Sequence, residues 1–171
     1  QPDANANGLG YATFDFRVSD GDAFSSAHTL TIDVTPVNDA PEISGTPAVT
    51  VAAESPYSFT PTASDVDGDP LTFSIANQPA WASFDPASGA LTGTPANADV
   101  GTTSGIVISV SDGQGGAASL PAFDLTVTFT NHPPAAAGII PAQRVAVGEA
   151  FAYAVPLSFF TDSDAQELLF T

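Results

Sequence analysis

The sequence predicts an all-β protein made of antiparallel β-sandwich repeats in tandem, of immunoglobulin/cadherin-like type. Three observations carry that expectation. Residues 11–18, 28–35, 105–111 and 123–130 alternate apolar with polar side chains or run apolar, and they are rich in Val, Ile, Thr and Phe. Breakers separate such segments: "SDGD", "NDAP", "DGDP", "DPASG", "TGTP", "SDGQGG" and "NHPP". No window combines apolar spacing of 3.6 with helix caps, so helix is close to excluded.

The elements recur. "VSDGDAFSS" from Val18 returns as "VSDGQGGAAS" from Val110, an offset of 92, and each is followed by a strand and then by "NDAP" or "NHPP". "SDVDGDPLTF" from Ser64 returns as "TDSDAQELLF" from Thr161, an offset of 97. One repeat therefore has about the size of an immunoglobulin-like sandwich, roughly 100 residues. The chain divides into the closing strands of one domain (1–38), a complete domain (39–131) and the opening strands of a third (132–171).

Charge narrows the function. The chain has 19 Asp and Glu against two basic residues, Arg17 and Arg144, and a formal net charge of -17. Such a surface repels phosphate backbones and anionic lipid, so neither nucleic acid nor membrane insertion is expected, whereas cations are favoured. The 43% hydrophobic fraction still suffices for a core. There is no cysteine, which removes disulfides, thiolate metal sites and thiol nucleophiles. The first residue is Gln1 rather than a methionine leading an apolar targeting segment, so the chain is expected to be a processed product or a window of something longer.

The run "PAWASFDPASGALTGTPANADVG" (79–101), followed by "VISVSDGQGG" (107–116) and a last strand before "NHPP", resembles the dystroglycan-type cadherin-like domain, also described as a bacterial immunoglobulin-like repeat. The resemblance covers 39–131, with partial matches on both flanks. It implies a tandem module of a large secreted or surface-attached bacterial protein, adhesins among them, with neighbouring repeats as its partners. In cadherins proper, it further implies, calcium binds at domain junctions through the linker, an Asp-x-Asp loop and an Asp of the last hairpin.

Sandwich geometry agrees with that implication. The B–C and F–G loops emerge at one end, where strand A also begins. With 55–63 as strand B, "SDVDGD" is the B–C loop, "SDGQGG" the F–G loop and "NDAP" the lead-in to strand A. Asp65, Asp67, Asp69, Asp112, Asn38 and Asp39 are therefore expected at one tip. Carboxylates this close repel by about 1 kcal/mol or more per pair even in high dielectric. Calcium reverses that sign, because it takes six to eight carboxylate, amide or carbonyl oxygens in irregular shells. Asn131, Asp162 and Asp164 repeat part of the pattern and suggest a second, poorer site, since His132 stands where Asp39 does and Gln166 where Asp69 does. Asp20 and Asp22 lie in the first segment's F–G loop. Asp85 and Asp99 are expected to be turn residues.

Other readings stay beside this one. Asp and Gly are common turn formers, so "DVDGD" also reads as a solvated turn. An EF-hand is excluded, because Pro70 and Ala76 stand where that loop needs Gly and Glu. No enzyme is expected: paired carboxylates on a loop tip lack a cleft, no G-x-S-x-G occurs, and neither His28 nor His132 has an evident nucleophile. Carbohydrate binding is the alternative, with Trp81, Tyr57 and Tyr153 as a stacking surface, although Trp81 is expected in the core. Half-sandwiches leave unpaired edges. Head-to-tail self-association by strand complementation would join them, since 1–38 and 132–171 together lack only the stretch matching 75–92, with Thr171 in register with Ser74.

Overall fold

The computed structural model describes residues 1–169; the register of Thr171 lies outside them. Its first element is a hairpin of β1 (Gly8–Phe16) and β2 (His28–Val34), with Phe14 opposite Leu30. There follow β3 (Glu42–Ser44), β4 (Thr50–Ala52), β5 (Tyr57–Phe59), β6 (Thr62–Ser64), β7 (Thr72–Ala76), β8 (Ala82–Phe84) and β9 (Leu91–Gly93). A 3-10 turn at Asn97–Asp99 leads into the long β10 (Gly101–Ser111), then β11 (Ala117–Ser119) and β12 (Phe123–Thr128). The last segment carries β13 (Ala135–Ala136) and β14 (Phe160–Thr161), which pair with each other.

Residues 42–128 form a two-layer sandwich. One layer has the order β11-β10-β12-β4, with β7 also along β10, and β4 runs parallel to β12. The other contributes β3 with β6, and β5-β9-β8. Strand β10 shows why the layers adhere: Ile106, Ile108 and Val110 recur every second residue, so all three face inward, and each is at most 1% exposed. Ile106 packs with Tyr57, Ala82 and Leu91 from the opposite layer and with Leu125 of β12, whereas Ile108 and Val110 pack with Phe73 and Leu120. The expected strand over 55–63 is divided into β5 and β6 at Thr60–Pro61, because proline has no N–H to give a ladder.

Turn chemistry fixes the hairpins. Asp85 accepts from Ala87 N (3.0 Å) and the Ser88 hydroxyl (2.5 Å), and Gly89 N bonds back to its carbonyl. Gly89 has φ +72, and a Cβ there would come within 2.7 Å of the Phe73 ring, so "DPASG" needs its glycine twice over. Asp99 accepts from Ala96 N at 2.8 Å. Both aspartates are thus turn residues, as the sequence suggested.

The outer segments are far less covered. In repeat register Phe14, Phe16 and Val18 match Ile106, Ile108 and Val110, yet they are 51%, 49% and 67% exposed. Among the described residues no helix is long and apolar enough to cross a membrane.

Candidate metal site and the two acidic junctions

Strands β5 and β6 run from the turn at Glu54 to the loop at Asp65, and β10 runs from the Asn97 turn to the loop at Asp112. The sandwich therefore has two ends, and each meets a flanking segment.

At the first end the structure gathers the acidic residues as the loop geometry required. Asp67 N donates to Asp65 Oδ1 (2.9 Å), Asp69 N lies 3.4 Å from the same oxygen, and Gly68, at φ +79, closes the turn onto the Asp65 carbonyl. This folds the side chains inward, so that oxygens of Asp65, Asp67 and Asp69 all lie within 4.8 Å of one another. The linker joins them: Asp39 N donates to Asp67 Oδ2 at 2.7 Å. Asp65 Oδ2 is buried with no hydrogen-bond partner. A buried carboxylate oxygen without a donor is costly, and its environment here is more negative charge. A metal cation fits that donor set, since three hard anionic oxygens and a backbone-rich loop are what calcium accepts.

Asp112 behaves differently. It is 4% exposed, and its oxygens accept from Gln114 N (2.7 Å), Gly116 N (2.9 and 3.1 Å) and the Asn38 amide (2.8 Å). Those contacts fill the roughly four lone-pair positions of a carboxylate. The Asn38 amide, followed by the backbone N–H groups, holds the Asp112 carboxyl below the usual aspartate range. Gly116 is required here, because a Cβ would collide with Asp112 and sit 2.8 Å from Ala40 Cα. Asp112 and the Asn38 amide nitrogen thus pin the linker to the last hairpin.

The surroundings are open and polar. A cleft of about 480 Å³ is lined by Asn7, Asn38, Asp67, Asp69 and Gln114 among others, and one of about 520 Å³ by Asn5, Asp39, Glu42 and Asp65. The first segment thus reaches the acidic loop through Asn5 and Asn7.

At the second end the same loop is rebuilt. Asp164 N donates to Asp162 Oδ1 (2.7 Å), and His132 N donates to Asp164 Oδ2 (2.5 Å), the contacts made by Asp67 and Asp39 at the first. The side chain following the linker Asn then changes the outcome. His132 Nδ1 lies 3.1 Å from Asp164 Oδ1 and its Nε2 2.8 Å from Glu54 Oε2. Asn97 donates to Asp164 Oδ1 (3.2 Å) and to the Thr130 carbonyl (2.8 Å), and accepts from Thr130 N (2.9 Å). Asn131 only reaches the His132 carbonyl, at 3.4 Å. The Asp164 hydrogen bond, followed by the charge of Glu54, raises the His132 pKa; the His132 N–H first, then its ring, lowers that of Asp164.

Glu54 and Asn97 were not foreseen. Asn97 had a signal, since "ANAD" at 96–99 repeats "ANAN" at 4–7 and so marks Asn5 as its counterpart. Asp20 forms a local turn, accepting from Asp22 N (3.0 Å) and Ala23 N (2.9 Å). The aromatic surface does not form: Tyr57 is 5% exposed with its hydroxyl on the Ala48 carbonyl, and Trp81, half-buried against the core, meets its ring edge-on at 6.1 Å.

A two-layer β-sandwich with a parallel first-to-last strand pair defines an immunoglobulin-like domain. The family model described as "Putative Ig domain" matches residues 40–128, and the chain belongs to that family. No curated protein matches the sequence. Among solved structures, human protocadherin-24 EC1-2 is similar at 23% identity and a TM-score of 0.41, over 53% of this chain and 45% of that one. An endo-fucoidan hydrolase from glycoside hydrolase family 107 is similar at 22% identity and a TM-score of 0.40, over 69% of this chain and 19% of that one. The chain thus spans less than half of either neighbour.

Proposed function

We propose that the chain is a non-catalytic, extracellular structural repeat of a bacterial surface or fibre protein, and that calcium held by Asp65, Asp67 and Asp69 stiffens the junction between residues 1–38 and the immunoglobulin-like domain. One observation carries the reading: Asp65 Oδ2 is buried without a partner inside a group of three carboxylates. An ion there offsets the mutual repulsion of the loop and ties it to the linker, because Asp67 already accepts the Asp39 N–H. Asp39, exposed at the rim of the larger cleft, supplies a further oxygen. Asn38 and Asp112 set the linker's position and take no part in the shell. The action is mechanical: a bound ion suppresses bending at a linker that is otherwise held by a few hydrogen bonds.

Melting the protein with calcium, with magnesium and with a chelator tests this. A calcium-specific rise in Tm that disappears in the Asp65→Asn/Asp67→Asn variant is expected, because a ligand binding only the folded state stabilises it by mass action. Coincident curves would reduce "DVDGD" to a turn.

A further inference from the structure

We infer that the second junction is closed without a metal, by the His132 ring, which clasps the immunoglobulin-like domain to the segment that follows it through one carboxylate on each side. Both ring nitrogens face carboxylate oxygens: Nε2 lies 2.8 Å from Glu54 of the domain, and Nδ1 lies 3.1 Å from Asp164 of the following segment. The ring therefore spans the linker, with one nitrogen within hydrogen-bond distance of a carboxylate on either side.

The other donors complete the clasp. Asp164 is 4% exposed at its side chain, and its oxygens receive His132 N, His132 Nδ1 and the Asn97 amide. Asn97 in turn brackets Thr130 through both its N–H and its carbonyl, fixing the chain just before the linker. Domain, linker and next segment thus share one hydrogen-bonded cluster. The nearby Asp162 accepts from Asp164 N, as Asp65 does from Asp67 N. Among the described residues, the group of three clustered carboxylates is that of Asp65, Asp67 and Asp69, and it has no counterpart at this end. The inference stands apart from calcium at the first junction.

The chain has no cysteine, so spin labels can be placed cleanly. Ser58→Cys and Ala150→Cys put one label on the domain and one on the last segment, both at exposed positions outside the clasp. The full chain is expected to give a narrow label-to-label distance distribution in chelator, unmoved by calcium. The distribution should broaden in His132→Ala and in the milder Glu54→Gln. A broad distribution that calcium narrows would show that the junction is a metal site. A distribution that is broad throughout, or one that neither substitution changes, would show that His132 is no clasp. Junction calcium at Asp65 does not enter these distances, so its failure is read separately from the melting curves.

Discussion

The two ends of the immunoglobulin-like domain build the same acidic loop and face it with different side chains. Asp67 and Asp164 each accept the backbone N–H of the residue after the linker Asn, and each donates its own N–H to the Asp two positions earlier. What differs is the side chains: Asp39 adds a fourth negative charge at the first end, His132 adds a ring held by two carboxylates at the second, and Gln166 stands where Asp69 does. Asp-x-Asp turns form by self-capping alone, so backbone geometry says little about metal; on the calcium reading proposed above, these side chains decide whether an external cation is called for.

Exchanging the residue after the linker Asn is the sharpest way to break the contrast, and it has the largest expected effect. Asp39→His should abolish the calcium-dependent rise in Tm at the first end. His132→Asp should create one at the second, where the new carboxylate would join Glu54, Asp162 and Asp164. At calcium about 100-fold above Kd, one gained site adds roughly 2.7 kcal/mol to stability. Differential scanning calorimetry with and without calcium reads both. A calcium response that survives Asp39→His would show that the Asp65 loop alone suffices.

Next in size is the loss of Asn97. Its two bonds to Thr130 hold the last strand to the 3-10 turn, so Asn97→Ala should lower stability by about 1–2 kcal/mol. The counterpart Asn5, whose side chain lines the first junction's cleft and makes no such bracket, should tolerate Ala with a smaller change in the same chemical denaturation measurement.

These two asparagines also mark the limit of what the sequence discloses. Local chemistry was legible: the Asp65–Asp69 loop, the Asp112 hairpin and the Asp85 turn are each settled by side chains bonding backbone a few residues away. Inward-facing Ile106, Ile108 and Val110 were legible from alternation, whereas the start of β10 at Gly101 was not, because "GTTS" carries no apolar period. Glu54 and His132 are 78 residues apart in sequence, and nothing local foretells that an exposed turn glutamate meets a linker histidine across the sandwich end. Trp81 was legible as well: expected in the core, it packs edge-on against Tyr57.

The smallest effect, and the one that separates the ends most cleanly, is the alkaline response of the second end, since the lowered pKa of Asp164 makes that end weaken in acid as the first does. Asp112 at the first end has a pKa lowered from the model-peptide value of 3.8, through the Asn38 amide and then the backbone donors of its loop. A depressed carboxyl contributes stability above its unfolded pKa and loses it as pH falls through the folded value, so the first junction weakens in acid. His132 has a pKa raised from 6.5, through Asp164 and then Glu54. A raised histidine contributes fully below 6.5, and that contribution disappears as pH climbs through the folded value, so the second junction weakens on the alkaline side. NMR titration can follow both, since His28 is the only other imidazole in the chain. The His132 ring should titrate above 6.5, and linewidths of residues 132–169 should change with it while those around Asp112 stay fixed. Glu54→Gln should move the His132 midpoint down and leave the acid transition of Asp112 untouched, which ties the alkaline response to the clasp rather than to global unfolding.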